Sequence, residues 1–238
     1  MRQYIGGIAI CCLLVIRSSE GKPPTNPRAC GSKCGTERWG VKTMTDQGAN
    51  QVDSTAVPNT VAALYAITAP STNPNMSRGD EEKKQFTVRA RLVGYKIEFD
   101  PNATKNPGDR DFHIVIADLQ DPTKTMVVEI PDPRCAGVCS SSQLDRIKQA
   151  RQTFTQATLN HPPSKSFIAL QKDVEVEVTG PAMFDFEHGQ TGLAKNCIEI
   201  HPVLEFKFIT PGPYQVTTNP TRMPAHHPKT FYSCIPKT

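Results

Sequence analysis

What this chain can fold into is constrained most by its cysteines. Of the eight, Cys11 and Cys12 lie in an N-terminal apolar run, while Cys30, Cys34, Cys135, Cys139, Cys197 and Cys234 are spread over everything that follows. In an oxidising compartment six thiols read as up to three disulfides, with fifteen possible pairings. The two C-x3-C pairs, Cys30/Cys34 and Cys135/Cys139, also admit a four-cysteine zinc site. Zinc knuckles usually use shorter spacing and a reducing compartment, so disulfides are expected.

The N-terminus decides the compartment. Met1 and Arg2 precede an apolar run from Ile5 to Ile16, and Ser19-Glu20-Gly21 places small residues before a cut ahead of Lys22. That is the pattern of a signal peptide over residues 1–21. The run is too short for a membrane span, which needs about 20 helical residues. Ile10 before Cys11, where a small residue would be wanted, argues against a lipid anchor there. No later stretch is apolar enough to span a membrane, so a secreted, periplasmic or extracellular product is expected. Removing residues 1–21 takes away Arg2, Arg17 and Glu20, lowering the formal net charge of +4 by one. A large basic face is not implied.

Three zones follow. Residues 22–85 are rich in Pro, Thr, Asn and Ser, with Val61 to Ile67 as the apolar run, and are expected to pack on the body as an N-terminal extension. Residues 86–208 are patterned. Residues 209–238 carry Pro211, Pro213, Pro220, Pro224, Pro228 and Pro236, too many for regular structure. In the middle zone the alternation predicts strands over Phe86–Phe99, Asp111–Asp118, Thr125–Ile130, Asp173–Thr179 and Cys197–Phe208. Gly94 suggests a bulge, and His201-Pro202 a bulge or unpaired edge. Leu144, Ile147, Ala150 and Phe154 recur at helical spacing behind Ser142, a capping residue with Asp145 three positions on. A mainly β fold in the order β-β-β-α-β-β, with a coiled first strand, is that of an OB-like five-stranded barrel.

Asp111 and His113 share a strand face, Glu129 lies on the third strand, and Phe184 to Gly192 begins the connection to the fifth. In an OB-type barrel the loops between strands one and two and between strands four and five flank one cleft. Asp111, His113, Glu129, His188, Gln190, Asn196, Glu199 and His201 are therefore the candidate ligand-binding set. His113, His188 and His201 beside carboxylates are candidate ligands for one divalent ion, because imidazole and carboxylate suit zinc, manganese or iron. Such an ion with an open position would activate water near neutral pH, with Glu129 or Glu199 as base, in a metal-dependent hydrolase of phosphodiesters. On the plainer reading Asp111 and Asp185 fix turns while His188 and His201 bond loop backbone. His226-His227 reads as a flexible surface pair.

No H-E-x-x-H, G-x-S-x-G or phosphate-cradling glycine loop is present, so no catalytic residue is assigned. Arg89, Arg91, Tyr95 and Lys96 are the one interleaved basic and aromatic set. A solvated strand face accounts for them as well as nucleic acid does. Glu37, Arg38 and Lys42 around Trp39 form either a ligand edge or a segment that docks one aromatic, and docking is the commoner use of a lone tryptophan. The expected function is a binding or interaction module for an unidentified ligand or protein partner. A metal hydrolase and a structural envelope protein are the alternatives.

Four strings occur together: Cys34 to Thr43, Asp111 to Asp118, Thr125 to Cys135, and Phe184 to Gly192 with Asn196 and Ile198 to Leu204. In this combination the chain resembles a family of uncharacterised exported bacterial proteins, over about Cys34 to Phe208. The resemblance implies an exported, bacterial protein. It implies no activity, cofactor or catalytic residue.

Overall fold

The computed structural model describes residues 30–71, 77–99, 102, 108–187, 189–217 and 234. The signal-peptide reading at 1–21, most of the Pro-rich tail including His226 and His227, and His188 lie outside the described residues. The elements in chain order are α1 (Trp39–Thr43), β1 (Ala56–Asn59), α2 (Val61–Tyr65), β2 (Gln85–Ile97), β3 (Phe112–Ala117) and β4 (Thr125–Ile130). They continue with α3 (Leu144–Ala157), β5 (Ile168–Phe184), β6 (Ile198–Ile200), β7 (Glu205–Phe208) and β8 (Val216–Thr217).

The fold is mainly β. One sheet runs β1-β2-β3-β4-β6-β5-β7, β8 pairs with β5, and β5 also pairs with β2. The path β2-β3-β4-β6-β5 thus comes back to β2 as a partial ring around the apolar core. The β4–β6 pairing is parallel, and the others around the ring are antiparallel. Alternation sets the strand faces: Val88, Ala90 and Leu92 enter the core while Thr87, Arg89 and Arg91 turn outward. At Gly94 the register of β2 shifts against both β3 and β5. A Cβ there would stand 2.5 Å from the Ile168 carbonyl oxygen, so the close approach of β5 requires glycine.

Two strand expectations are corrected. The strand expected over 173–179 extends over Ile168–Phe184, because at Gly180-Pro181 it passes from β2 to β6 as its partner instead of ending. The last expected strand divides into β6 and β7 around Pro202, which has no N–H to give a ladder. The helix forms as its spacing predicts, burying Ile147, Ala150 and Phe154. Its N-cap, however, is Gln143 and not Ser142, and no side chain caps it. Phe154 packs edge-on against Tyr95 and Phe206 in the centre of the core. The Pro-rich tail forms one short strand, β8, before its described stretch ends at residue 217.

The cysteines pair as Cys30–Cys139, Cys34–Cys135 and Cys197–Cys234, so the four-cysteine zinc alternative is not formed. The first two bridges staple the N-terminal segment to the turn after β4. Trp39 completes the docking, donating from Nε1 to the Ala136 carbonyl at 2.8 Å. Arg38 is buried against Glu82 and the Phe184 carbonyl, and Arg78 against Asp46. Among the described residues no helix is long and apolar enough to cross a membrane.

Candidate functional site

The candidate site lies on the ring's outer face. On β3, Ile114 and Ile116 join the core, so His113 faces away from it. On β4, Val128 and Ile130 point inward and Glu129 outward; on β6, Ile198 and Ile200 point inward and Glu199 outward. Pairing places His113 directly opposite Glu129 and Val127 beside Glu199. His201 follows β6 at once, and Asp111 precedes β3. This face is nevertheless dry: Asp111, His113, Glu199 and His201 show no exposed surface and Glu129 shows 1%. Residues 189–197 cover it. Gly192, at φ +81°, lies so close that a Cβ would stand 2.3 Å from the Val115 side chain. From α1, Lys42 reaches under the same cover, 3.3 Å from Asp185 and 3.8 Å from Asp109.

Within the cluster Glu129 stands between the two histidines. Its Oε1 is 3.0 Å from His113 Nδ1 and its Oε2 is 3.3 Å from His201 Nδ1. His113 also meets Glu98 at 3.3 Å, and its Nε2 lies 2.9 Å from the Thr191 carbonyl oxygen. A carbonyl only accepts, so that nitrogen carries the proton. His201 presents Nε2 to Asp111 Oδ2 at 3.2 Å and Nδ1 to Glu199 Oε2 at 3.8 Å. Yet both ring nitrogens of His201, Asp111 Oδ2, Glu129 Oε2 and both Glu199 oxygens are buried without a directional hydrogen bond. Buried polar atoms of this kind are rare, and each costs roughly 1–3 kcal/mol.

Acidic groups outnumber basic ones here, and the ionisation shows it. Burial pulls the His113 imidazole down, but its hydrogen bonds to Glu129 and Glu98 outweigh this and raise it to about 10. Glu98 is held well below the usual carboxylate range: burial opposes this, and His113 and Lys96 prevail. Burial first, then the neighbouring carboxylates, push Asp109 up to about 8 and Glu199 to about 7. Asp111 is raised well above its ordinary value by burial and by Glu129. Lys42 is held above its own value because Asp185, Glu129, Asp109 and Glu199 together outweigh its burial.

Of the residues singled out in the sequence, the fold brings together Asp111, His113, Glu129, Glu199 and His201. Asn196 turns elsewhere: its amide donates to the Leu64 and Ile67 carbonyls at 2.9 and 2.8 Å and ties α2 to the approach of β6. Gln190 is buried in the covering segment with Oε1 unpartnered. The strand set Arg89, Arg91 and Lys96 pairs with Glu175, Asp173 and Glu98, and Tyr95 is core. Glu98 and Asp109 belong to the site and were not selected; Lys42, named beside Trp39 as part of a ligand edge or a docking segment, also joins it. Asp109 stands two residues before Asp111 in the flanking loop, which is a legible signal. Lys42 sits four residues before Asp46 in a short helix, and only the docking of Trp39 reveals where it reaches. The chain matches no protein-family model, no curated protein and no solved structure.

Proposed function

We propose that the chain is an exported binding module: an OB-type barrel built from β2, β3, β4, β5 and β6, with its ligand seat on the outer face of β3, β4 and β6. Three features support this reading. The strand order β-β-β-α-β-β, closed by the parallel β4–β6 pair, is that expected of such a barrel. The seat lies where the loops between its strands one and two and between its strands four and five meet, the usual binding edge of the fold. The disulfides fit the oxidising compartment that the N-terminal run addresses.

One observation carries the ligand's chemistry. The seat gathers Asp111, Glu129, Asp185 and Glu199 in a desolvated space with the half-buried Asp109 beside them, and oxygens of Asp111, Glu129 and Glu199 make no directional hydrogen bond. A small cationic ligand satisfies such a set. A thermal-unfolding panel of divalent metal chlorides, guanidinium and short alkylammonium ions tests the reading. A ligand held at 100 times its dissociation constant adds about 2.7 kcal/mol, hence roughly 5–10 °C in Tm for a chain of this size. The expected result is a rise of this order with at least one cation, reduced in Glu199→Gln. A panel in which no cation raises Tm sinks the reading.

The hydrolase alternative has one observation in its favour. Glu199, raised to about 7 and with neither oxygen in a directional hydrogen bond, is poised as a general base. Chelator-sensitive cleavage of a bis-aryl phosphodiester, lost in Glu199→Gln, would support it; cleavage indifferent to chelator removes it.

A further inference from the structure

We infer that Asp111, Glu129 and His201 form the binding site for a single divalent first-row metal ion, zinc or manganese; this rests on the binding-module reading and names its ligand. One donor atom from each of the three lies within 4.8 Å of the other two. The facing pairs, Asp111 Oδ2 with His201 Nε2 at 3.2 Å and Glu129 Oε2 with His201 Nδ1 at 3.3 Å, make no directional hydrogen bond. Two ligands each about 2.1 Å from one ion stand roughly 3.0–3.4 Å apart at octahedral to tetrahedral angles. The 3.2 Å between Asp111 Oδ2 and His201 Nε2 is therefore that of neighbours on a coordination polyhedron, with Glu129 offering the third donor within 4.8 Å. An ion would also satisfy atoms that are otherwise costly to bury.

A second triad, Glu98, His113 and Glu129, has comparable spacing and behaves differently. His113 spends Nε2 on the Thr191 carbonyl and Nδ1 on Glu98 and Glu129, so that triad is already closed. This makes His113 a positioning residue. It holds Glu129 through Oε1 and leaves Oε2 to the ion, as hydrogen-bonded partners commonly orient ligating carboxylates. Asp111 is held in the same way: its Oδ1 accepts from the Asp132 amide at 3.3 Å while Oδ2 faces His201. One imidazole with two carboxylates suits zinc or manganese better than calcium or magnesium, which favour all-oxygen sets. Two carboxylates also balance the ion's charge.

The test uses the full chain, exported through an oxidising compartment without a tag, stripped with chelator and titrated with zinc or manganese chloride. Calorimetry and elemental analysis should give about one equivalent bound. Asp111→Asn and His201→Gln should each weaken it at least tenfold, and a His226→Gln, His227→Gln double variant should bind as the parent does. Stoichiometric binding that survives both site variants overturns the site, as does binding lost only in the tail variant. Should the site variants not fold, X-ray absorption of the zinc-loaded parent decides: one imidazole with oxygen neighbours supports the assignment, and two or more imidazoles or any sulfur refutes it. A parent that takes no metal but is stabilised by an organic cation refutes the metal and leaves the binding module standing. A parent stabilised by no cation at all refutes both.

Discussion

The ring of strands sets carboxylates beside basic groups on two outer faces. On β2, β5 and β7, Arg89 meets Glu175, Arg91 meets Asp173, and Lys207 meets Glu177 and Glu205, all at least partly exposed. On β3, β4 and β6, His113, Glu129, Glu199 and the adjoining His201 and Asp111 are sealed from water. On the first face every carboxylate has a basic partner, and the pairs are solvated. The second is crowded with carboxylates and short of donors. Alternating charge along a strand is thus no mark of function by itself; function is indicated where a cover removes water and partners run out. The cover here is residues 189–197 and α1, the latter held by two disulfides and a docked tryptophan.

The largest effect that would break this comparison is the loss of a partner on the buried face. His113→Ala should destabilise by about 3–5 kcal/mol in urea unfolding, since it removes the closest cation from the buried Glu129 and leaves Glu98 with Lys96 alone. A loss under 1 kcal/mol would mean the two faces are energetically alike. Next in size is the pH dependence of the chelated protein. Folded-state values raised to about 10 for His113, about 8 for Asp109 and about 7 for Glu199 all mean that the native state holds more protons than the unfolded chain. Stability should therefore fall as pH rises, from about 4 to 8 for the carboxyls and from about 6.5 to 10 for His113. Tm measured from pH 4.5 to 9.5 checks this, and a Tm that climbs with pH refutes it.

A subtler contrast comes from neutralising one carboxylate on each face. Glu199→Gln should stabilise the chelated protein by about 1 kcal/mol, because burial and the nearby Glu129 and Asp185 outweigh its contact with His201 and make the charge costlier to bury than an amide. Glu175→Gln should instead cost a few tenths of a kcal/mol by removing the Arg89 pair. Denaturation midpoints of the two variants compare them directly, and equal signs would remove the distinction. A comparably small effect is expected from Arg89→Ala, which breaks the same pair, with a loss of a few tenths of a kcal/mol that shrinks further in 1 M salt.

Much of this was legible before the fold was seen. The segment Thr125–Ile130 forms the strand its pattern predicts, Gly94 marks a register shift, and Ile147, Ala150 and Phe154 bury one side of α3. Asp111, His113, Glu129, Glu199 and His201 were identifiable because strand parity and adjacent loops gather them whichever residues cover them. β1 was not legible: four residues containing Pro58 have no periodicity of their own and become a strand by pairing with β2. The course of β5 through Gly180-Pro181 was also hidden, because those residues signal a break unless the strand changes partner there.

The sequence by itself determined the alternation of the strands, the helical face of α3, the six available thiols and the identity of the acidic and imidazole groups. These follow from local chemistry, in which each residue acts through its own side chain and near neighbours. Only the tertiary structure decided which cysteines pair, which strand face lies dry, and that Lys42 and Asp109 belong to the cluster while Asn196 serves α2. Those outcomes depend on contacts between segments as far apart as Cys34 and Cys135. Periodicity places a side chain on one side of its strand, and the rest of the chain decides whether that side meets water.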